Sequence, residues 1–201
     1  MKKILFALII LVVWAPLLSA KTYKSPFGFS IDIPAHWLIM SKQEIKDNPD
    51  LFNFESNVFK NFNKDMISKI KDMITSGQTE IYFNKKTANV SFADNINVIK
   101  TIERLPQKIS ELKQYCAMFP KEIYKYCGVT PKIYKCEFKK IAGLDCSYII
   151  YDGVIDRTKN ILCQIQKSPN VAIIITASSK IETFEIIRKE FDEMLASLKF
   201  Y

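Results

Sequence analysis

At 201 residues, 48% hydrophobic and 25% charged, with no internal repeat, the chain has the composition of one globular domain, which excludes a disordered or low-complexity protein. The formal net charge of +8 comes from dispersed basic residues (Lys64, Lys69, Lys71, Lys85, Lys86, Lys139, Lys140), the pattern of a solvated surface. Such a surface suits an anionic membrane or an acidic protein partner; nucleic acid is not an expected partner, because residues 1–20 read as an export signal.

Residues 1–20 read as a signal peptide. Lys2-Lys3 precede the apolar run Ile4 to Leu18, and Ser19-Ala20 supplies the small residues that place cleavage before Lys21. The alternative is a retained anchor, for which the run is short. Removing the leader takes Lys2 and Lys3 from the +8, leaving a mature charge of about +6. The remainder, residues 21–201, is expected to be a single domain in the periplasm or secreted.

Phe27, Phe29, Ile31 and Ile33 alternate, which predicts a first strand ending at Pro34; Leu38 to Met40 follows as a short second strand. Trp37 is the candidate core anchor between them. Residues 42–62 show no clean period and predict a partly irregular segment with a short helix. Lys64 to Thr75 carries Met66, Ile67, Ile70, Met73 and Ile74 on one helical stripe and stops at Gly77. Thr79 to Phe83 and Ala88 to Phe92 read as strands joined by the turn Asn84 to Thr87, and Ile96, Val98 and Ile102 extend the pattern. A helix begins near Pro106 with Ile109, Leu112, Cys116 and Phe119 as its buried stripe. Pro120 is expected to interrupt it, with a further turn at Ile123 to Tyr126 before Gly128.

From Ile133 the chain predicts a meander closed by a helix. Tyr134, Cys136 and Phe138 alternate; Ala142-Gly143 turns into Leu144 to Tyr151; Ile161, Cys163 and Ile165 alternate again; Val171 to Ile175 is continuously apolar. Ser179 and Glu182 have capping-box spacing, and Ile181, Phe184, Ile187, Phe191, Leu195 and Leu198 form one helical stripe. Short connections favour antiparallel pairing, so the fold class is α+β with an antiparallel sheet.

All five cysteines follow the leader, where export permits disulfides. An odd count leaves at least one thiol unpaired or shared between chains. Cys116 and Cys127 flank Pro120 on two expected helical pieces and are one candidate pair; Cys146 and Cys163, on neighbouring strands, are the other. The alternative for Cys136, Cys146 and Cys163 is packing as small hydrophobes. No C-x-x-C, Gly-rich phosphate loop or G-x-S-x-G elbow is present, so no cofactor or metal is expected. Asp145, Asp152 and Asp156 lack calcium-loop spacing and read as turn carboxylates. The single histidine, His36, or an unpaired cysteine would carry an alternative enzymatic or redox function. Six tyrosines between residues 115 and 151 are the unusual compositional feature, and Lys121, Tyr124, Lys125 and Tyr126 form the candidate interface.

Three stretches resemble the PsbP-like superfamily: Phe27-Gly28-Phe29-Ser30-Ile31-Asp32-Ile33-Pro34-Ala35-His36-Trp37, Ile141-Ala142-Gly143 before a strand, and the closing Leu195-Ala196-Ser197-Leu198-Lys199-Phe200. The resemblance covers residues 23–40 and 133–201. It implies a central antiparallel sheet sandwiched between helices, an α/β/α sandwich. That superfamily includes the extrinsic photosystem II protein and exported bacterial proteins of unknown role, so the resemblance implies a non-enzymatic binding or assembly module. It implies no catalytic residues, and the oligomeric state stays open.

Overall fold

The computed structural model describes residues 20–49, 71–87 and 92–201. The leader before Ala20, the irregular stretch 51–62, the Met66, Ile67 and Ile70 stripe and residues 88–91 lie outside the described residues. Of the helix expected over Lys64 to Thr75, residues 71–75 are described and are helical.

Among the described residues the strands form two antiparallel sheets. The small one has the order β1 (Ala20–Ser25), β2 (Phe29–Pro34) and β10 (Lys199–Phe200), with β2 in the middle. The large one runs β3 (Trp37–Met40), β4 (Thr79–Asn84), β5 (Asn95–Thr101), β9 (Val171–Lys180), β8 (Thr158–Ser168), β7 (Leu144–Asp152) and β6 (Ile133–Ile141). Helices α1 (Lys42–Asp47), α2 (Ile109–Cys127) and α3 (Phe184–Ser197) stand beside the helical residues 71–75. The continuous apolar run Val171 to Ile175 lies in β9, the central strand of the seven.

Register assigns each residue to a face. Tyr82, Ile96, Ala177, Ile161 and Ile150 line up across five strands, and all belong to the main core beneath α3 and the small sheet. One residue over, Ile81, Asn97, Thr176, Leu162 and Ile149 line up on the opposite face. That row is polar at its centre, in Asn97 and Thr176, and apolar at its two ends. At one end α2 lays Leu112, Cys116 and Phe119 on Ile149, Tyr151 and Leu162. At the other, Ile74 packs on Met40, Ile81 and Phe83. A period-2 strand can therefore serve one dry and one half-wet face within the same sheet.

Helix α3 packs against both β2 and β9 through Phe184, Ile187, Phe191, Met194 and Leu195. Trp37 is buried in the same core, 4% exposed. The closing strand β10 pairs with β2, and Lys167 Nζ donates to the carbonyls of Phe27, Gly28 and Tyr201 at 3.2, 2.8 and 3.4 Å. Gly28 has φ +83°, and a Cβ there would collide with that ammonium, so the turn into β2 needs glycine.

Several expectations are corrected. The first strand is β1, not the alternating aromatic run; Phe27-Gly28 instead form the turn before β2, because Tyr23 alone supplies the apolar signal of β1. Pro120 does not break the helix: α2 runs through it, because Leu112, Cys116 and Phe119 before it and Ile123 after it pack on one surface. Packing here outweighs a helix-interior proline cost of about 3 kcal/mol. Ser179 is no cap. It is buried in β9, Thr183 occupies the cap position of α3, and Glu182 pairs with Arg157. Ile102, Ile109, Met73 and Ile181, each assigned to a buried pattern, are exposed.

Candidate functional site

One end of the large sheet gathers three connections: the loop after α2, the β7–β8 turn and the approach to α3. Gly128, with φ +70°, ends α2 in a left-handed cap and releases the chain into Val129-Thr130-Pro131. Asp152 N donates to Lys132 O at 3.0 Å, and Tyr134 Oη donates to Asp152 Oδ1 at 2.8 Å, tying the start of β6 to the end of β7. That hydrogen bond holds the Tyr134 phenol above its ordinary pKa. Gly153 N donates to Thr158 O at 2.8 Å across the turn, where a Cβ at 153 would strike the Thr158 side chain. Arg157, with φ +58°, accepts Ile181 N through its carbonyl at 3.0 Å and pairs with Glu182.

These constraints leave a cavity of about 460 Å³ on one side of the β7–β8 turn, bounded by Val129, Pro131, Val154, Ile155 and Ile181. A second, of about 420 Å³, shares Ile155 to Thr158 and is bounded by Phe92, Lys180 and Glu182. Of the fourteen large apolar side chains exposed among the described residues, seven lie at this end: Tyr124, Tyr126, Val129, Tyr134, Val154, Ile155 and Ile181. Lys121, Tyr124, Lys125 and Tyr126 are all exposed on the last turns of α2, with Tyr126 78% accessible and Lys125 Nζ 5.6 Å from its ring centroid. The sequence singled out these four. It missed Val154, Ile155 and Ile181, because a turn offers no period to read.

His36 lies on the side of the sheet occupied by α3, where its Nε2 is 3.0 Å from Glu190 Oε2; the same oxygen accepts Trp37 Nε1 at 2.9 Å. A cavity of about 200 Å³ adjoins the ring. Ser197, the one hydroxyl in its wall, donates to Met194 O at 2.7 Å and accepts Asp32 N at 2.8 Å, so it is held by the backbone rather than by His36. Cys127 ends α2 on the opposite face of the sheet, so His36 and the unpaired thiol are not brought together. The carboxylates Asp145 and Asp152 have separate partners, Lys140 and Tyr134, and no three His, Cys, Asp or Glu among the described residues are placed to hold a metal ion.

Two cysteine pairs come to disulfide distance. Cys146 and Cys163 are diagonal neighbours on β7 and β8, with Cα atoms 6.0 Å apart. The other pair is Cys116 with Cys136, Cα atoms 6.6 Å apart, which corrects the candidate Cys116–Cys127. Since α2 is continuous, eleven residues separate Cys116 from Cys127 along its axis by about 16 Å, beyond any disulfide. Cys127 is exposed and unpaired. Peptide mapping without reduction is expected to recover Cys116 linked to Cys136 and Cys127 alkylated. Closing this 20-residue separation stabilises by about 3 kcal/mol in the chain-entropy account, so Cys136→Ser should lower the urea midpoint accordingly. A Cys116–Cys127 peptide would overturn the pairing.

The class these layers define is the PsbP-like α+β sandwich, with one antiparallel sheet between α3 and the small sheet on one face and α2 on the other. No family model and no curated protein matches the chain by sequence. Among solved structures it is similar to cyanobacterial PsbP (CyanoP) from Synechocystis sp. PCC 6803, with 11% identity over 92% of this chain and 94% of that one, at a TM-score of 0.56. It is also similar, at TM-scores of 0.48 and 0.45, to the Ran-binding protein Mog1p of Saccharomyces cerevisiae (10% identity, 91% and 96% covered) and to a protein of unknown function from Pseudomonas aeruginosa (11% identity, 89% and 94% covered).

Proposed function

We propose that the chain is an exported, non-enzymatic binding module of the cell envelope that docks a protein partner on the end face around the β7–β8 turn. The observation that carries this reading is that Val129, Val154, Ile155 and Ile181, all exposed, line two adjoining cavities, with exposed Tyr124 and Tyr126 on the last turns of α2 just before them in the chain. Exposed apolar surface collected in one place, with Arg157 in its wall and Lys121 and Lys125 exposed on the last turns of α2, is the make-up of a docking patch rather than of a solvated face. Tyr124 and Tyr126 supply large, stiff contact area there with a polar tip. Export is supported by the leader pattern of residues 1–20 and by the two cysteine pairs. No described helix is long and apolar enough to cross a membrane.

A photo-crosslinking residue placed at Tyr126 or Ile155 in living cells is expected to give one discrete adduct. The same residue at Ile186, 63% exposed on α3, should give none. Equal labelling from all three positions would remove the docking assignment.

A further inference from the structure

Strand β6 is one margin of the large sheet: it pairs with β7 on one side and, among the described residues, with no strand on the other. At the opposite margin β3 has four residues, whereas β6 has nine, holds no proline and shifts register only between Ile133 and Lys135. An edge of that length is a template for another strand. Its open groups follow from the ladder. Asp152 N donates to Lys132 O, and antiparallel bonds alternate, so the even-numbered residues of β7 turn toward β6. Their partners Lys135, Glu137, Lys139 and Ile141 spend their backbone groups on β7. Cys136, Phe138 and Lys140 present theirs to the open edge. On one face of the strand Lys135, Glu137 and Lys139 make a row of alternating sign, with both ammonium groups over the Tyr148 ring.

We infer that two copies of this chain pair β6 with β6, antiparallel about a two-fold axis at Phe138, and so join two large sheets into one. Lysines on an edge ordinarily repel a second strand. Here the intervening Glu137 makes the row self-complementary in one register. With the axis at Phe138, Glu137 stands opposite the partner's Lys139, and the symmetry makes that pair twice. Opposite charges facing each other across strands stabilise a sheet, and like charges destabilise it. An axis at Glu137 sets glutamate on glutamate, and an axis at Lys139 or Lys140 sets lysine on lysine. An axis at Cys136 carries the pairing into the irregular stretch at Tyr134. The Phe138 register uses the regular part of the strand and brings two half-buried Phe138 rings together on the α2 face. Glu137 and Lys139 are 40% and 34% exposed, so each has surface left for a partner besides Lys135 and Asp192. This inference goes beyond the end face and does not rest on it.

The test is sedimentation equilibrium of the full chain, expressed with residues 1–20 and recovered as the cell processes it. A reversible monomer–dimer equilibrium is expected. Glu137→Lys and Lys139→Glu each place like charges opposite one another and should weaken the dimer at least tenfold. The double exchange Glu137→Lys with Lys139→Glu restores opposite charges across the axis and should return the dimer to near its original strength. Lys140→Pro removes an outward N–H that bonds only to the partner, and an edge strand tolerates proline at such a position. It should abolish pairing while far-UV circular dichroism and the urea midpoint show the monomer still folded. A monomer at every soluble concentration overturns the inference. So does a dimer indifferent to Lys140→Pro, which uses another surface, or a double exchange as weak as its two single variants.

Discussion

Phe191→Ala is expected to destabilise the protein by about 3–5 kcal/mol. Phe191 is 1% exposed, at the middle of the stripe by which α3 meets β2 and β9. Removing its ring empties a site in the main core that the close-packed interior closes only in part. Ile186, on the same helix but 63% exposed, should tolerate alanine within about 0.5 kcal/mol. Urea unfolding of both variants checks this. Equal losses at the two positions would mean that α3 does not dock through the stripe that the sequence and the structure both assign.

The second large effect centres on Glu80, a carboxylate 1% exposed inside the main core. Tyr23 Oη donates to its Oε1 at 2.7 Å and Tyr82 Oη to its Oε2 at 2.9 Å. Tyr82→Phe keeps the packing but strips one oxygen of its donor, at a cost of about 1–3 kcal/mol. Burial raises the Glu80 pKa above its ordinary 4.5, against the opposing pull of the two phenols, and raises both phenols as well. A raised carboxyl pKa means that the folded state binds the proton more tightly than the unfolded state. Its contribution is therefore complete below the unfolded value and is lost as pH rises through the folded value. Glu80→Gln, which cannot ionise, should gain on the native protein as pH climbs from 4 toward 8. Urea midpoints across that range measure the gap, and a gap that stays constant with pH would show that Glu80 does not titrate differently on folding.

What was legible in the sequence follows from which forces leave a periodic trace. The meander β6 to β9 was readable from dense apolar runs set between turns, since its middle strands are covered on both faces, and α3 from the repeat of its buried stripe. Glu80 left no trace, since a buried acid reads as a surface acid until its tyrosine partners, one of them 57 positions away, are brought to it. Cys136 was passed over as a disulfide partner for a related reason: Pro120 suggested a corner at α2, and the corner appeared to offer Cys116 a nearer mate. The site at the end of the sheet was half legible. Tyr124 and Tyr126 announced themselves by composition, whereas Val154, Ile155 and Ile181 matter through where turns deliver them. His36 was noticed only as the single histidine. Its carboxylate partner lies 154 residues away and has no local signature.

The small sheet has an order of assembly built into it. Its middle strand β2 is made early in synthesis, yet its partner β10 emerges after every other described strand, and Lys167 reaches the shared turn only once β8 is in place. A nascent chain threading outward would carry β2 with one flank open until translation had passed Lys199. Pausing before that point leaves Phe29 and Ile31 on a strand lacking one neighbour, the moment when a holdase would have most to bind.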